Sequence, residues 1–198
     1  MNSFITIDFE TAVYSRDSAI AVGLVKYNDY LPVDTFYSLI KPPTLYIRPE
    51  FTDIHGLTID DVKDAPDFKN VWENGLRDFI AGLPGLPGMP IAAHNASFDM
   101  SVLKAVLEKY ELPIPKLSYF CTCDLARRTW PEFKSHSLTN LAKEFGIEYA
   151  AHNALADAET CGKLVQMSAQ KFGAEKAKKG LTILGLLRKA RLRMRVLK

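Results

Sequence analysis

The heptapeptide ITIDFET, residues 5–11, constrains this chain more than any other stretch, because an apolar β-type run ends there on two carboxylates, Asp8 and Glu10. Side chains alternate along a strand, so residues i and i+2 face the same way and the two acids project together. Acids that reach solvent where an edge strand ends are the ordinary explanation of such a pair. Here Ile5, Ile7 and Phe9 keep the strand apolar right up to it, and two adjacent like charges are costly unless something positive sits between them. A divalent cation, a hard ion that takes oxygen ligands, is the simplest such object.

Two more acids follow buried-looking segments. In IAAHNASFD, Asp99 falls in the first turn of the next predicted helix, where an acid commonly serves only to offset the helix dipole. In AHNALADAETCGKLV, Asp157 shares a helical stripe with Cys161, Leu164, Val165 and Ser168. It therefore begins a buried face and needs a partner. His152 reaches the same place only if it precedes that helix, with Asn153 as N-cap; a loop histidine making a capping bond is equally open. Four such acids and a histidine titrating near neutral pH are the parts of two-metal phosphodiester hydrolysis. In that chemistry ions ~3.5–4 Å apart hold the attacking water and the leaving oxygen, and the imidazole takes a proton.

The rest of the chain predicts an α/β domain. Residues 3–9, 18–27 and 33–40 read as strands, with NDY as a turn between the second and third, and KPPTLYIRPE as an extended connection. Phe68, Val71, Trp72, Leu76, Phe79 and Ile80 have helical spacing, GLPGLPGMP reads as a loop, and IAAHN and LSYFC read as short strands. Helices are expected over Ser97–Lys109, capped by Asn95 or Ser97, from Ser137 to Gly146, and from about Asn153 to Phe172. Strands first, then strands alternating with helices, imply a mixed sheet with helices on both faces.

Residues 1–172 are expected to form one domain and residues 173–198 a basic tail, helical or strand. From Lys171 onward there are ten Lys/Arg and one acid, Glu175, whereas the preceding body has 15 basic against 22 acidic residues. Leu184, Leu187, Ala190, Met194 and Leu197 form an apolar stripe that wants a surface, either this domain or a second copy in a homodimer. The alternating RLRMRVLK also suits a strand on a sheet edge. The tail's charge is expected to raise nucleic-acid affinity. Cys121, Cys123 and Cys161 are odd in number and read as free thiols, with no second Cys/His pair at zinc spacing. No apolar run approaches ~20 residues and no basic-then-apolar leader opens the chain, so the expectation is a cytoplasmic protein with no membrane contact.

The acidic motifs also carry a resemblance. DFET resembles the D-x-E-T motif, HNASFD the H-N-x-x-F-D motif and HNALADA the H-x-x-x-x-D motif of the DEDDh 3′-5′ exonucleases, in particular the epsilon-like proofreading exonucleases associated with bacterial DNA polymerase III. FTDIHGLTIDDVKDAPDF is similar to their I-H-G-I-T segment and SHSLTNLAKEFGI to their S-L-x-x-L-x-x-x-x-G-I stretch, so the likeness runs from Phe4 to about Met167. It implies a ribonuclease H-like fold with a five-stranded mixed sheet flanked by helices. It implies two Mg²⁺ or Mn²⁺ ions on Asp8, Glu10, Asp99 and Asp157, with His152 as general base and Thr11 and Glu10 binding the 3′-terminal nucleotide. The implied substrate is nucleic acid with a free 3′ end, single-stranded DNA before RNA or oligoribonucleotides, the implied products are nucleoside 5′-monophosphates, and a DNA polymerase subunit is a candidate partner. A catalytically silent binding module is the reading of another class. Where many members carry a second Thr and a Gly, this chain continues AVYSRDS. His55, His94 and His136 are assigned to structure.

Overall fold

Strand β1 (Phe4–Thr11) is buried on both faces: Ile5, Ile7 and Phe9 enter one apolar cluster and Phe4 another on the opposite side. The computed structural model describes residues 2–83, 86–173 and 182–197. On one flank β1 pairs antiparallel with β2 (Ala19–Asn28), and β2 with β3 (Leu31–Leu39). Asp29 and Tyr30 make the β2–β3 turn in left-handed conformation, at φ 52° and 65°, as a tight hairpin of this twist demands. On the other flank β4 (Ile91–Ala93) pairs parallel with β1, and β5 (Leu117–Cys121) parallel with β4.

The sheet has six strands in the order β3-β2-β1-β4-β5-β6, which corrects the expected five. The sixth, β6 (Arg195–Leu197), comes from the tail and runs antiparallel to β5. Its arginine is exposed while Leu197 is buried, and a charged side chain on an edge strand discourages further pairing.

Several helices frame the sheet and its acidic end. They are α1 (Pro49–His55), α2 (Ser97–Lys109), α3 (Thr122–Thr129), α4 (Leu138–Glu144), α5 (Ala154–Gly173) and α6 (Ile183–Lys189). Helix α2 and the helical turns between Phe68 and Ala81 cover one face of the sheet; α5 and α6 cover the other. The helix expected over Phe68–Ile80 is broken at Asn74–Gly75, where Gly75 takes φ 153° and its missing Cβ leaves room for the Phe36 ring. Within GLPGLPGMP, Gly82–Leu83 pairs with Leu86–Pro87, and Pro84 and Gly85 lie outside the described residues.

The N-cap expected for α2 is also corrected. Ala96 holds that position without a side-chain cap, because Asn95 is left-handed at φ 67° and its carbonyl already takes the Phe98 amide at 2.8 Å. Ser137 caps α4 and Asn153 accepts from Ala156 at the start of α5, both by side-chain oxygen. In the tail, Ile183, Leu186, Leu187 and Ala190 bury against the α5 face of this domain, whereas Leu184, expected in the stripe, is 53% exposed. Residues 174–181, which hold Lys176, Lys178 and Lys179, lie outside the described residues.

Two glycines set α5 onto the sheet. A Cβ at Gly23 of β2 would run into the backbone of Ala154 and Leu155, and one at Gly162 of α5 would run into the Tyr27 ring. Backbone-to-backbone approach at Gly23, and ring-to-backbone approach at Gly162, bring the start of α5 against the carboxyl end of β1.

Candidate active site

Asp8 and Glu10 lie on the α5 side of β1, with Asp8 directly opposite Gly23. Because α5 passes over Gly23 at Ala154, Asp157, one turn further on, comes down beside them. One carboxylate oxygen from each of Asp8, Glu10 and Asp157 lies within 4.8 Å of the other two. Glu10 is 9%, Asp157 7% and Asp99 1% exposed, while Asp8 is half-buried and keeps the cluster open on one side.

Asp99 arrives from the first turn of α2. Its Oδ1 accepts from the Phe9 amide at 3.3 Å, while its Oδ2 is buried without a hydrogen-bond partner. It stands outside the triple cluster but acts on it electrostatically. A dipole-offsetting acid would be exposed; burial of this one against β1 sets that explanation aside.

Burial and mutual repulsion raise the four acids above the usual carboxylate range. Burial pushes Glu10 up to about 8, with Asp157 and Asp99 adding repulsion. Burial first, then the charges of Asp99, Glu10 and Asp157, pushes Asp8 well up. Asp99 is pushed to about 8, chiefly by burial, against the pull of backbone amides and of Arg16. Burial raises Asp157 too, offset by the His152 charge, the Tyr149 phenol and the His152 amide. An orphaned carboxylate oxygen and clustered hard oxygen donors fit divalent cations such as Mg²⁺ or Mn²⁺.

His152 precedes α5, as its spacing required, in left-handed conformation at φ 61°. Its amide donates to Asp157 Oδ2 at 3.0 Å and its side chain is exposed at the rim of the cluster. Thr11 is buried at the end of β1, beside a register shift between Glu10 and Thr11.

Three neighbours of the site are not evident as such from the sequence. His55, at the end of α1, accepts the Leu57 amide on Nδ1 at 3.0 Å, and burial lowers its basicity, with the Thr11 backbone and the His152 charge also acting on it. Tyr149 stands beside Asp157, and burial and that acid raise its phenol. Arg16 lies 4.3 Å above the Phe98 ring, next to Asp99. Only Arg16 carries a sequence signal, the departure AVYSRDS after DFET. His94, by contrast, braces the motif from behind: Nδ1 meets Thr122 Oγ1 at 3.0 Å and Nε2 the His136 carbonyl at 2.8 Å.

A mixed sheet whose central strand meets two helix starts in an acidic cluster has the architecture of an exonuclease domain. The chain belongs to the RNase T family of exonucleases, whose family model matches residues 5–165. It is 34% identical to DNA polymerase III PolC-type of Bacillus subtilis (strain 168) over 181 residues, 88% of this chain and 12% of that protein. It is likewise 34% identical over 180 residues to DNA polymerase III PolC-type of Oceanobacillus iheyensis, covering 86% of this chain. The chain thus spans about 12% of the length of these curated relatives. Among solved structures, exonuclease X in complex with 5′ overhanging duplex DNA matches with a TM-score of 0.68 at 23% identity, over 94% of this chain and 99% of that one. E. coli exonuclease I in complex with a dA16 oligonucleotide matches with a TM-score of 0.73 at 17% identity, over 86% of this chain and 41% of that one. Among the described residues, no helix is long and apolar enough to cross a membrane.

Proposed function

We propose that this exonuclease removes nucleotides from the 3′ end of DNA by two-metal hydrolysis, releasing nucleoside 5′-monophosphates. The observation that carries the reading is the convergence of Asp8, Glu10 and Asp157, with buried Asp99 beside them, at the end of β1. Asp8, Glu10, Asp99 and Asp157 would hold two Mg²⁺ or Mn²⁺ ions. Such ions, when bound, supply an activated water and neutralise the charge that builds on the leaving oxygen.

The chain's own groups do the rest. The His152 imidazole, exposed at the rim, takes the proton of the attacking water. Its backbone amide meanwhile keeps Asp157 turned toward Asp8. Thr11, beside the register shift at the end of β1, would hold the 3′-terminal nucleotide together with Glu10. DNA is favoured as substrate by the relatives and structural neighbours, a DNA polymerase and two exonucleases in complex with DNA, and a DNA polymerase subunit is the partner they suggest.

The test is cleavage of 5′-labelled single-stranded DNA and RNA of matched sequence with Mg²⁺, Mn²⁺ or EDTA. A ladder shortening from the 3′ end, lost with EDTA and in Asp157→Ala, is expected, with DNA the faster substrate. A faster RNA ladder would reassign the sugar; no cleavage by the folded protein with either metal would make this a binding module.

A further inference from the structure

The tail does more than close the sheet. Arg191, Arg193 and Arg195 are exposed, while Leu192 and Met194 between them pack against the cluster around α5. The sheet register shows where those arginines stand. Arg195 is opposite Tyr119, Ala93 opposite Cys121, and Ala92 opposite Thr6. Carried through β5 and β4, Arg195 is level with Ile5, three residues short of Asp8, and Arg193 and Arg191, which lead into the antiparallel strand β6, step toward the carboxyl ends of β1, β4 and β5, where the acidic site lies. Three strand spacings of ~4.8 Å separate β6 from β1, about 15 Å across the sheet.

That interval is lined with positive charge. One cleft, starting at His94 and Asn95 beside the second acidic motif, includes Arg127 and Lys134. The next includes Cys121, Asp124, Arg191, Arg193 and Arg195. Asp124, the one acid lining either cleft among the described residues, is held between Arg127 at 2.8 Å and Arg195 at 3.7 Å. It joins the two walls and leaves the surface strongly basic. A generic solvated face would scatter its charges, whereas these run in one direction from an acidic site that by itself repels a polyanion.

We infer that this surface binds the phosphate backbone of the strand whose 3′ end enters the acidic site, over the few nucleotides that follow the terminal one. The inference rests on the proposed nuclease activity and extends it from the terminal nucleotide to the body of the substrate. The tail is thereby part of the substrate-binding surface, and the acidic body and basic end of the sequence serve one ligand.

The test compares the wild-type chain with Lys134→Ala/Arg191→Ala/Arg193→Ala, three exposed positions that leave the Asp124 bridge intact, after circular dichroism shows both are folded. KM is measured with Mg²⁺ for a DNA single strand of about 30 nucleotides and for a dinucleotide, between about 50 and 200 mM salt. Loss of three phosphate contacts predicts that the wild-type KM for the long strand rises about 20-fold more across that range than the variant's, with no such difference for the dinucleotide. Equal salt dependence of the two proteins on the long strand overturns the inference while leaving the nuclease intact. A wild-type protein that cleaves neither substrate overturns the nuclease reading and this inference with it.

Discussion

Gly23 stands directly opposite Asp8 in the β1–β2 ladder and carries the backbone of Ala154 where any other residue would carry a Cβ. The acidic cluster depends on that contact, because Asp157 reaches Asp8 only if the start of α5 lies flat on the sheet. Backbone atoms cannot rotate aside as a side chain can, so Gly23→Ala should destabilise the fold by about 1–3 kcal/mol. A displacement of ~1 Å at the site costs on the order of 10²-fold in rate. Activity should therefore fall further than stability; thermal melts and turnover measured on the same preparation check the difference.

Crowded acids make the metal-free protein sensitive to pH in an unusual direction. Burial and mutual repulsion raise Glu10 and Asp99 to about 8 in the folded state, against ~4 when unfolded. A raised folded-state pKa means the folded form binds the extra protons, so this stability is complete below about pH 4 and is lost as pH rises toward 8. Melting in EDTA should therefore drop by several degrees between pH 5 and 8, each kcal/mol being worth ~2–4 °C in a chain of this size. Adding Mg²⁺ should restore it, most at pH 8. A flat EDTA profile would show that burial and repulsion do not raise these acids.

Asp8→Asn separates the chemical role of the cluster from a structural one. It removes one of the repelling charges without changing shape, so the metal-free melting temperature at pH 8 should rise. Turnover and the stabilisation by Mg²⁺ should both be lost. A variant that unfolds would make Asp8 a structural residue.

His94 works behind the site. Its two ring nitrogens join the end of β4 to Thr122 at the start of α3 and to the His136 carbonyl. Burial holds its pKa down at about 4, below the ordinary ~6.5, so the folded state keeps it neutral and loses stability as pH falls from about 6.5 to 4. His94→Ala should cost about 1–3 kcal/mol through buried partners left unsatisfied, and its stability should fall less steeply over that acid range. Denaturant melts at pH 4.5 and 7 measure both effects.

Arg16 is held by a tightly closed loop. Buried Ser18 hydrogen-bonds the carbonyls of Val13 and Ser15 and accepts the Val13 amide, which fixes the loop tip against Phe98. A cation stacked on an aromatic face at an exposed site is worth ~0.5–1 kcal/mol. Arg16→Ala should leave the melting temperature nearly unchanged and raise KM for DNA about 3–10-fold, if the guanidinium meets the terminal nucleotide's phosphate. An unchanged KM would confine Arg16 to shielding Phe98.

Local patterning by itself determined much of this protein. Alternation placed Asp8 and Glu10 on one face of a strand, and helical spacing placed Asp157 at the start of a buried stripe with His152 ahead of the helix. Ser137 and Asn153 announced their helices, because capping is chemistry among near neighbours. The motif order was enough to identify the family. What the sequence alone could not decide were relationships between segments distant in the chain. The sixth strand needs the partner edge of β5 to exist, so RLRMRVLK read equally as helix or strand. Asn95 and Ser97 looked like caps because nothing local reports a left-handed turn. Only the packing of Gly23 on Ala154 brings residues 8 and 157 together. Their raised pKa values arise there as well, since desolvation and repulsion depend on distance through space and not on separation along the chain.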